Sequence, residues 1–279
     1  MFTKEFPGYG FITGAGSGIG RATAQKLAER GIDGIALVDL NETGLGETMK
    51  QVAEVAKAVG KPEPKTIIIK TDVSSKEDVR TAVQNAVSQF GRIDYAVNAA
   101  GIYIRGETTV DADPQDFIKT MNVNVNGTFY SCKYELEAML KQDPIETKYE
   151  YSVATQRGSI VNIASIAGQQ AMKYTGAYST SKHAVIGITR SISVDHANPQ
   201  DGIRCNAVCP GYILTPMTGS KETVEAKKEI LSQVCSMNRY GNAEEMAEVI
   251  CFLLSTRASY ITGSVIVADG GIHSHIGIS

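Results

Sequence analysis

The stretch Thr13-Gly-Ala-Gly-Ser-Gly-Ile-Gly20 comes directly after a short apolar run, Gly10–Thr13, and leads into a helical pattern, Ile19–Arg30. In a loop between a strand and a helix, one glycine permits a tight turn, a second lets the backbone approach a pyrophosphate, and a third permits close packing of the helix on the strand. The glycines with this spacing are Gly14, Gly18 and Gly20. The free N–H groups and the positive end of the helix dipole favour phosphate. The stretch predicts a nucleotide-binding unit, although methyltransferases carry similar glycine loops.

Short apolar runs alternate with longer helical patterns along most of the 279 residues. The runs are rich in Val and Ile and largely lack polar alternation, which is typical of strands buried on both faces of a parallel sheet. The predicted strands are Gly10–Thr13, Gly34–Leu40, Thr66–Thr71, Ile93–Asn98, Ser159–Ala164, Ile203–Val208 and Ser264–Ala268. The predicted helices are Ile19–Arg30, Thr43–Val59, Lys76–Phe90, Pro114–Leu140, Ala177–His196 and Ala243–Ser255. This order predicts an α/β fold: one Rossmann-type, doubly wound, seven-stranded parallel sheet with helices on both faces.

Two stretches depart from the alternation. Lys141–Arg157 is polar and is predicted to be a surface excursion between a helix and a strand. Gly211–Tyr240 contains a short helical pattern, Val224–Val234, and leaves the carboxyl edge of the predicted sheet. A long segment at that edge can cover a ligand, and the alternative is a plain connector. Since no internal repeat or linker divides the chain, residues 1–279 are predicted to form a single domain.

The composition excludes several classes of protein. The chain has 27 basic and 30 acidic side chains, a net charge of −3, and therefore no electrostatic footprint for nucleic acid. No apolar run approaches the roughly 18 residues that span a membrane, and the N-terminus lacks an apolar signal core. The five cysteines are odd in number and form no Cys-x-x-Cys pair, which favours buried thiols over disulfides or zinc. The sequence thus predicts a cytoplasmic protein without a metal site.

Asp39 lies nineteen residues after Gly20, at the end of the second predicted strand. A carboxylate at this point can accept hydrogen bonds from an adenosine ribose and would repel a 2′-phosphate. Neither Ala15–Ile19 nor the residues directly after Asp39, Leu40 and Asn41, include Arg or Lys. The pattern favours NAD over NADP, and the alternative for Asp39 is an ordinary strand-end cap.

Tyr178-Ser-Thr-Ser-Lys182 lies inside a helical pattern, and its spacing of four puts the phenol and the ammonium on one helix face. A nearby cation stabilises phenolate, so we expect Lys182 to lower the pKa of Tyr178 toward neutrality. Ser165 ends the fifth predicted strand, thirteen residues before Tyr178, and its hydroxyl could bind a substrate oxygen. Taken alone, the Tyr/Lys spacing also fits a surface helix, and Ser165 also fits a turn.

Together and in this order, the motifs resemble those of the short-chain dehydrogenase/reductase family over about Pro7 to Gly271. The glycine loop resembles the family's cofactor loop, and Asn98-Ala-Ala-Gly101 is similar to its Asn-Asn-Ala-Gly segment, with Ala99 in place of the second Asn. Asp269-Gly-Gly271 resembles its closing motif. The polar excursion is similar to those of fungal members in specialised metabolism.

The resemblance implies a nicotinamide-dependent oxidoreductase. The catalytic residues that it implies are Asn124, Ser165, Tyr178 and Lys182. The cofactor-binding residues that it implies are Gly14, Ser17, Gly18, Ile19, Gly20, Asp39, Leu40, Asp72, Val73, Asn98, Ala99, Ala100, Gly101, Tyr178, Lys182, Pro210, Gly211, Ile213 and Thr215. Tyr178 would be the general base or acid, Ser165 would polarise the substrate oxygen, and Asn124 would place a water that links Lys182 to a proton relay. Members of the family are often homotetramers, with the helices at Pro114–Leu140 and Ala177–His196 in the interface, and a dimer is the other assembly expected.

The substrate is predicted to be a small or medium hydrophobic alcohol or ketone, with a ring as one option. The residues expected by position to line its pocket, or alternatively to be core, are Ile102, Tyr103, Ile166, Ala167, Gly211, Tyr212 and Met217. Three alternatives stay open at this point. They are an NADP-dependent ketone reductase, a catalytically inactive dinucleotide-binding protein of the same fold, and a methyltransferase that uses the glycine loop.

Overall fold

The fold is built on a sheet of seven parallel strands. The computed structural model describes residues 5–148, 153–219 and 228–274. In chain order the strands are β1 (Tyr9–Thr13), β2 (Gly34–Asp39), β3 (Lys65–Lys70), β4 (Tyr95–Asn98), β5 (Ile145–Lys148), β6 (Val153–Gln156), β7 (Gly158–Ile163), β8 (Ile203–Pro210), β9 (Ile213–Leu214), β10 (Gly241–Asn242) and β11 (Val265–Ala268). The main sheet has the spatial order β11-β8-β7-β4-β1-β2-β3, and every pairing in it is parallel. The predicted α/β fold with one doubly wound seven-stranded sheet is confirmed.

Helices cover both faces of this sheet. In chain order they are α1 (Gly18–Glu29), α2 (Glu42–Ala58), α3 (Lys76–Phe90), α4 (Pro114–Met121), α5 (Gly127–Met139), α6 (Gly176–His196), α7 (Lys228–Val234) and α8 (Ala243–Leu254). One apolar core lies between the sheet and α1, α2 and α8, with Leu27, Leu45 and Ile250 fully buried in it. A second core lies between the other face and α3, α5 and α6, around Val83 and Met139. The sheet is thus buried on both sides, as its strands without polar alternation predicted.

The carboxyl ends of the strands meet at one edge of the sheet. Thr13 at the end of β1 lies beside Val38 of β2 on one side and Asn98 of β4 on the other, and Asn98 lies beside Asn162 of β7. The chain proceeds from β1 toward β3 and then returns to β4 on the opposite side. The loops after β1 and β4 therefore diverge and leave a crevice, the usual ligand position in such sheets.

The predicted helix Pro114–Leu140 is interrupted. A π-helical turn, Asn122–Asn126, separates α4 from α5. Asn is a weak helix former, and the side chain of Asn124 binds groups outside the helix, as described below. Such turns occur often at functional sites.

The two departures from the alternation contain elements of their own. The excursion Lys141–Arg157 contains the antiparallel hairpin β5–β6, which the analysis of the sequence did not predict. Gly211–Tyr240 contains β9, which pairs with β10, and α7, which matches the end of the predicted helix Val224–Val234. The first four residues of that predicted helix lie outside the described residues.

The cysteines agree with the expectation drawn from composition. All five cysteines are buried and free, as predicted for reduced thiols. In the described ranges, no helix combines the length and apolarity that crossing a membrane requires.

Candidate active site

A cleft of about 850 Å³ opens at the carboxyl edge of the sheet, at the crevice between the loops after β1 and β4. Most of the residues proposed from the sequence line it. They are Gly14, Ser17, Gly18, Ile19, Gly20, Asp39, Leu40, Asp72, Val73, Ala99, Ala100, Gly101, Ser165, Tyr178, Lys182, Pro210, Gly211, Ile213 and Thr215. Of the substrate candidates, Ile102, Gly211 and Met217 also line it. Residues far apart in sequence thus share one cavity, as the motif order predicted.

The glycine loop forms one wall of the cleft. Gly14 has φ +69°, and a Cβ there would lie 2.6 Å from the backbone nitrogen of Ala100, so both conformation and space require glycine. A Cβ on Gly20 would lie 2.3 Å from the carbonyl oxygen of Gly14, which shows how closely α1 packs on the loop. Ser17, the N-cap of α1, makes no side-chain capping hydrogen bond, and the first turn contains no acidic residue. The backbone N–H groups in the first turn of α1 therefore have no side-chain cap, and they fit a phosphate group.

Asp39 is held against this loop. Its carboxylate accepts hydrogen bonds from the backbone N–H groups of Gly16 and Asn41, both at 2.9 Å. An ionised carboxylate has about four acceptor positions, so positions remain for ribose hydroxyls.

The arginine closest to this wall is already engaged. Arg21 donates to the carbonyl oxygens of Gly16 and Gly44 and pairs with Glu47 at 2.9 Å. Its guanidinium therefore supports the loop from within the protein.

The opposite part of the cleft contains the predicted Tyr/Lys pair on α6. The Nζ atom of Lys182 lies 5.6 Å from the centre of the Tyr178 ring and donates a 2.8 Å hydrogen bond to the carbonyl oxygen of Ile163, at the end of β7. Lys182 is buried, and burial lowers its pKa to about 8. An ammonium group with this pKa is close to exchanging a proton at neutral pH.

The expected lowering of the Tyr178 pKa is not found in this structure. Burial raises the pKa of the Tyr178 phenol, while hydrogen bonding with Ser165 acts in the opposite direction. The reason lies in Lys182, which is itself desolvated and directs an N–H bond to Ile163. The protein alone therefore keeps the phenol protonated, and a lower pKa would need additional positive charge in the cleft.

Ser165 lies at the carboxyl end of β7, beside the phenol. Its Oγ atom accepts a 3.1 Å hydrogen bond from the N–H of Ala167 and begins a short 3-10 turn. The hydroxyl of Ser165 also hydrogen-bonds the phenol of Tyr178, so both groups face the same point of the cleft.

Asn124 does not line the cleft but fixes its wall. Its side-chain amide binds both the N–H and the carbonyl of Ile102, at 2.8 and 2.9 Å. It also donates a 3.0 Å hydrogen bond to Ser181 on α6, which in turn donates to the carbonyl of Tyr178. The π-helical turn therefore joins the loop after β4 to α6. The Ser181 contact was not predicted, because a serine between Tyr and Lys gives no distinct signal in sequence.

The resemblance implied that Asn98 contacts the cofactor, but Asn98 is not among the residues that line the cleft. Its amide nitrogen points into the interior and donates to Glu135 on α5 and to Asn162 on β7, both at 3.0 Å. Glu135 is fully buried, and burial raises its pKa to about 8. Asn98 therefore ties β4 to its neighbours beneath the cleft.

Tyr103 extends the site beyond the reacting groups. Its ring stands edge-on to the ring of Tyr178, with centres 5.1 Å apart and planes at 82°.

In the parts of the chain that are described, no group of three or more His, Cys, Asp or Glu side chains is arranged to hold a metal ion.

Comparisons with known proteins agree with this geometry. A family model described as "Enoyl-(Acyl carrier protein) reductase" matches residues 14–273. The chain is 37% identical over 263 residues to a cyclohexanol dehydrogenase from an Acinetobacter species, covering 94% of each protein. It is 34% identical over 270 residues to the short-chain dehydrogenase fogB of Aspergillus ruber, covering 96% of this chain and 97% of that protein.

The chain belongs to the short-chain dehydrogenase/reductase family. The crystal structure of a levodione reductase superposes on it with a TM-score of 0.84 and 34% identity, over 97% of this chain and all of that one. The family predicted from the motif order is therefore confirmed, and relatives occur in both fungi and bacteria. As a family member, the chain is an oxidoreductase of CH–OH groups that uses a nicotinamide dinucleotide.

Proposed function

We propose that the protein transfers a hydride between NAD(H) and a secondary alcohol or its ketone, with Tyr178 as general base in oxidation and general acid in reduction. The observation that carries the proposal is one shared cleft. Tyr178, Lys182 and Ser165 line the same cavity as the glycine loop and Asp39. A dinucleotide held by the loop would thus end beside a proton donor, a cation and a hydroxyl.

The residues of the chain would handle the proton and the substrate oxygen. When bound, the nicotinamide accepts or returns the hydride, and in its oxidised form it adds a positive charge that favours phenolate. Tyr178 takes the hydroxyl proton during oxidation and returns it during reduction. Ser165, which hydrogen-bonds Tyr178 in this structure, would donate its hydroxyl proton to the substrate oxygen and stabilise the charge that develops there.

Lys182 and a water placed by Asn124 would carry the proton onward. One N–H bond of Lys182 goes to Ile163, which leaves two for the cofactor ribose and a water. A Cβ added to Gly101 would lie 3.2 Å from Oδ1 of Asn124 and 3.5 Å from Nζ of Lys182, so Gly101 borders both groups. This supports a relay water held between Lys182 and the Asn124 turn.

The preference for NAD is supported by Asp39 and by the engagement of Arg21 with backbone carbonyls. Calorimetric titration with NAD and NADP at one salt concentration and pH tests it. Tight NAD and weak NADP binding is expected, and replacing Asp39 by Ala together with Leu40 by Arg should move the preference toward NADP. Tight NADP binding by the unmodified protein would instead favour an NADP-dependent ketone reductase.

Turnover tests the assignment of Tyr178. Tyr178→Phe is expected to bind NAD normally and to lose about 10²-fold or more in kcat, because the proton acceptor is removed. Tyr9→Phe is the matched control, since Tyr9 stacks on Phe90 at the start of β1, the opposite edge of the sheet. Retained turnover in Tyr178→Phe would remove Tyr178 from the mechanism. NAD binding without turnover of any alcohol would favour a catalytically inactive dinucleotide-binding protein.

The substrate is proposed to be hydrophobic and of small or medium size. Ile102 and Met217 line the cleft near Tyr178, and one relative is named for its action on cyclohexanol. We propose that the protein acts in the cytoplasm as a homo-oligomer, a tetramer or a dimer.

A further inference from the structure

Tyr103 occupies a fixed position beside the reacting group. The residue before it, Ile102, is held at both its N–H and its carbonyl by the side chain of Asn124. Asn124 is in turn bound to Ser181 on α6, one turn from Tyr178. Because the backbone at 102 is tied to the catalytic helix, the position of the Tyr103 side chain relative to Tyr178 is also constrained.

The ring of Tyr103 is only partly used by the protein. Its edge-on contact with Tyr178 has a centre-to-centre distance of 5.1 Å, yet 40% of the residue remains exposed. Aromatic rings are normally buried for packing, so an exposed ring at a reaction site offers its surface to a ligand.

The neighbouring Tyr212 belongs to a different cavity. It lines the space around Met237 and Gly270 and is in edge contact with Tyr240, with ring centres 6.1 Å apart. The aromatic ring in contact with Tyr178 is therefore that of Tyr103.

We propose that Tyr103 selects substrates in which an aromatic ring is attached directly to the carbinol or carbonyl carbon. This inference rests on the proposed function, since it places the reacting oxygen at Tyr178. A ring one bond from that carbon would reach the ring of Tyr103, where edge-to-face contact favours an aromatic ring over a saturated ring of the same size. Such aromatic pairs contribute about 0.5–1.5 kcal/mol beyond area burial, which corresponds to about a two- to tenfold preference.

The experiment compares two alcohols with the same skeleton. 1-Phenylethanol and 1-cyclohexylethanol share the reacting group and ring size and differ in aromaticity alone. Their kcat/KM values with NAD are measured for the unmodified protein, Tyr103→Phe, Tyr103→Leu and the control Tyr260→Leu. Tyr260 is fully exposed and lies between α8 and β11, where no cleft residue is found.

We expect the unmodified protein, Tyr103→Phe and Tyr260→Leu to prefer 1-phenylethanol by about two- to tenfold. Tyr103→Leu should lower this preference by about two- to tenfold, with NAD affinity unchanged. An equal ratio in all four proteins, or the loss of preference in Tyr103→Phe, would overturn the role of the Tyr103 ring. Absence of turnover of both alcohols by the unmodified protein, with NAD bound, would instead contradict the proposed function.

Discussion

At the residue scale, single atoms decide which groups can meet in the cleft. Gly101 is the clearest case, since a side chain there would enter the space between Asn124 and Lys182. The sequence pointed to this glycine through the motif Asn98-Ala-Ala-Gly101, but the neighbours that require it come from helices far along the chain. Their approach depends on the π-helical turn, which no local pattern predicts.

Gly101→Ala is expected to lower kcat about tenfold or more, because the added methyl group would displace a water between Asn124 Oδ1 and Lys182 Nζ. Steady-state kinetics across pH 6–10 measures the loss and any shift of the profile. Gly187→Ala is the matched control: it lies on α6, and a Cβ there meets nothing within 4 Å. Unchanged kinetics in Gly101→Ala would show that no water is needed at this point.

The buried carboxyl of Glu135 gives a pH-dependent prediction. Burial raises its pKa to about 8, whereas an exposed glutamate in the unfolded chain titrates near 4.5. Between these values the folded state retains a proton that the unfolded state releases, so the contribution of this group to stability falls as pH rises from about 4.5 to 8. Below that window both states are protonated and the group has no effect.

Glu135→Gln should therefore gain stability relative to the unmodified protein as pH rises, with a slope approaching about 1.4 kcal/mol per pH unit. Urea unfolding at pH 5.5, 7 and 8.5 measures the difference. Glu137→Gln, an exposed position on the same helix paired with Lys133, is the control and should show no such slope. Parallel stability profiles for Glu135→Gln and the unmodified protein would mean that Glu135 is ionised in the folded state.

At the element scale, helix caps and strand ends follow from the residue types in the local sequence. Features that interrupt a helix or lie between elements do not. Asp113 accepts a hydrogen bond from Gln115 at the start of α4, and Asn242 forms a capping box with Glu245 at the start of α8. Both follow from residue types at a helix start. The hairpin β5–β6 and the π-helical turn were missed because tertiary contacts, and not propensity, stabilise such features.

The side chain of Arg204 binds the carbonyl groups at the carboxyl end of α8. It lies buried on β8 and donates to the carbonyls of Leu253, Leu254 and Ser255, the last turn of α8. These carbonyls have no partner within the helix, and because they are buried, water cannot reach them. The guanidinium of Arg204 supplies the hydrogen-bond donors that they need.

Arg204→Met is expected to destabilise the protein by about 2 kcal/mol or more. The carbonyl of Leu254 would be left buried and unpaired at a cost of about 1–3 kcal/mol, whereas those of Leu253 and Ser255 keep their bonds from Ser159 and Ala258. Urea unfolding monitored by circular dichroism gives the difference. Arg257→Met, an exposed arginine whose pairing with Glu5 is 3.6 Å long, is the control and should change stability by less than about 0.5 kcal/mol. A loss for Arg204→Met no larger than the control's would show that the carbonyls find other partners.

At the scale of the whole molecule, the sheet order and the position of the cleft followed from the alternation of runs alone. Parallel strands place their carboxyl ends at one edge, so residues as distant as Gly14 and Thr215 were expected in one cavity before any contact was known. The alternation of strands and helices does not predict the outer surface, because the side chains there do not pack against other parts of the chain.

Apolar side chains on the outer surface carry the last prediction. Phe117 on α4, Phe129 on α5 and Val194 on α6 are 43%, 51% and 82% exposed. A family member whose helices α4–α6 meet those of another subunit would cover such side chains, and their burial contributes about 25 cal/mol per Å². Sedimentation is expected to give a multiple of 29.9 kDa, and Phe129→Lys with Val194→Lys should lower it to the mass of one chain, because buried charges oppose association. Tyr260→Lys, fully exposed elsewhere, should leave the assembly unchanged. A single-chain mass for the unmodified protein would mean that these side chains face water, and the complete cleft within one chain would then suffice for activity.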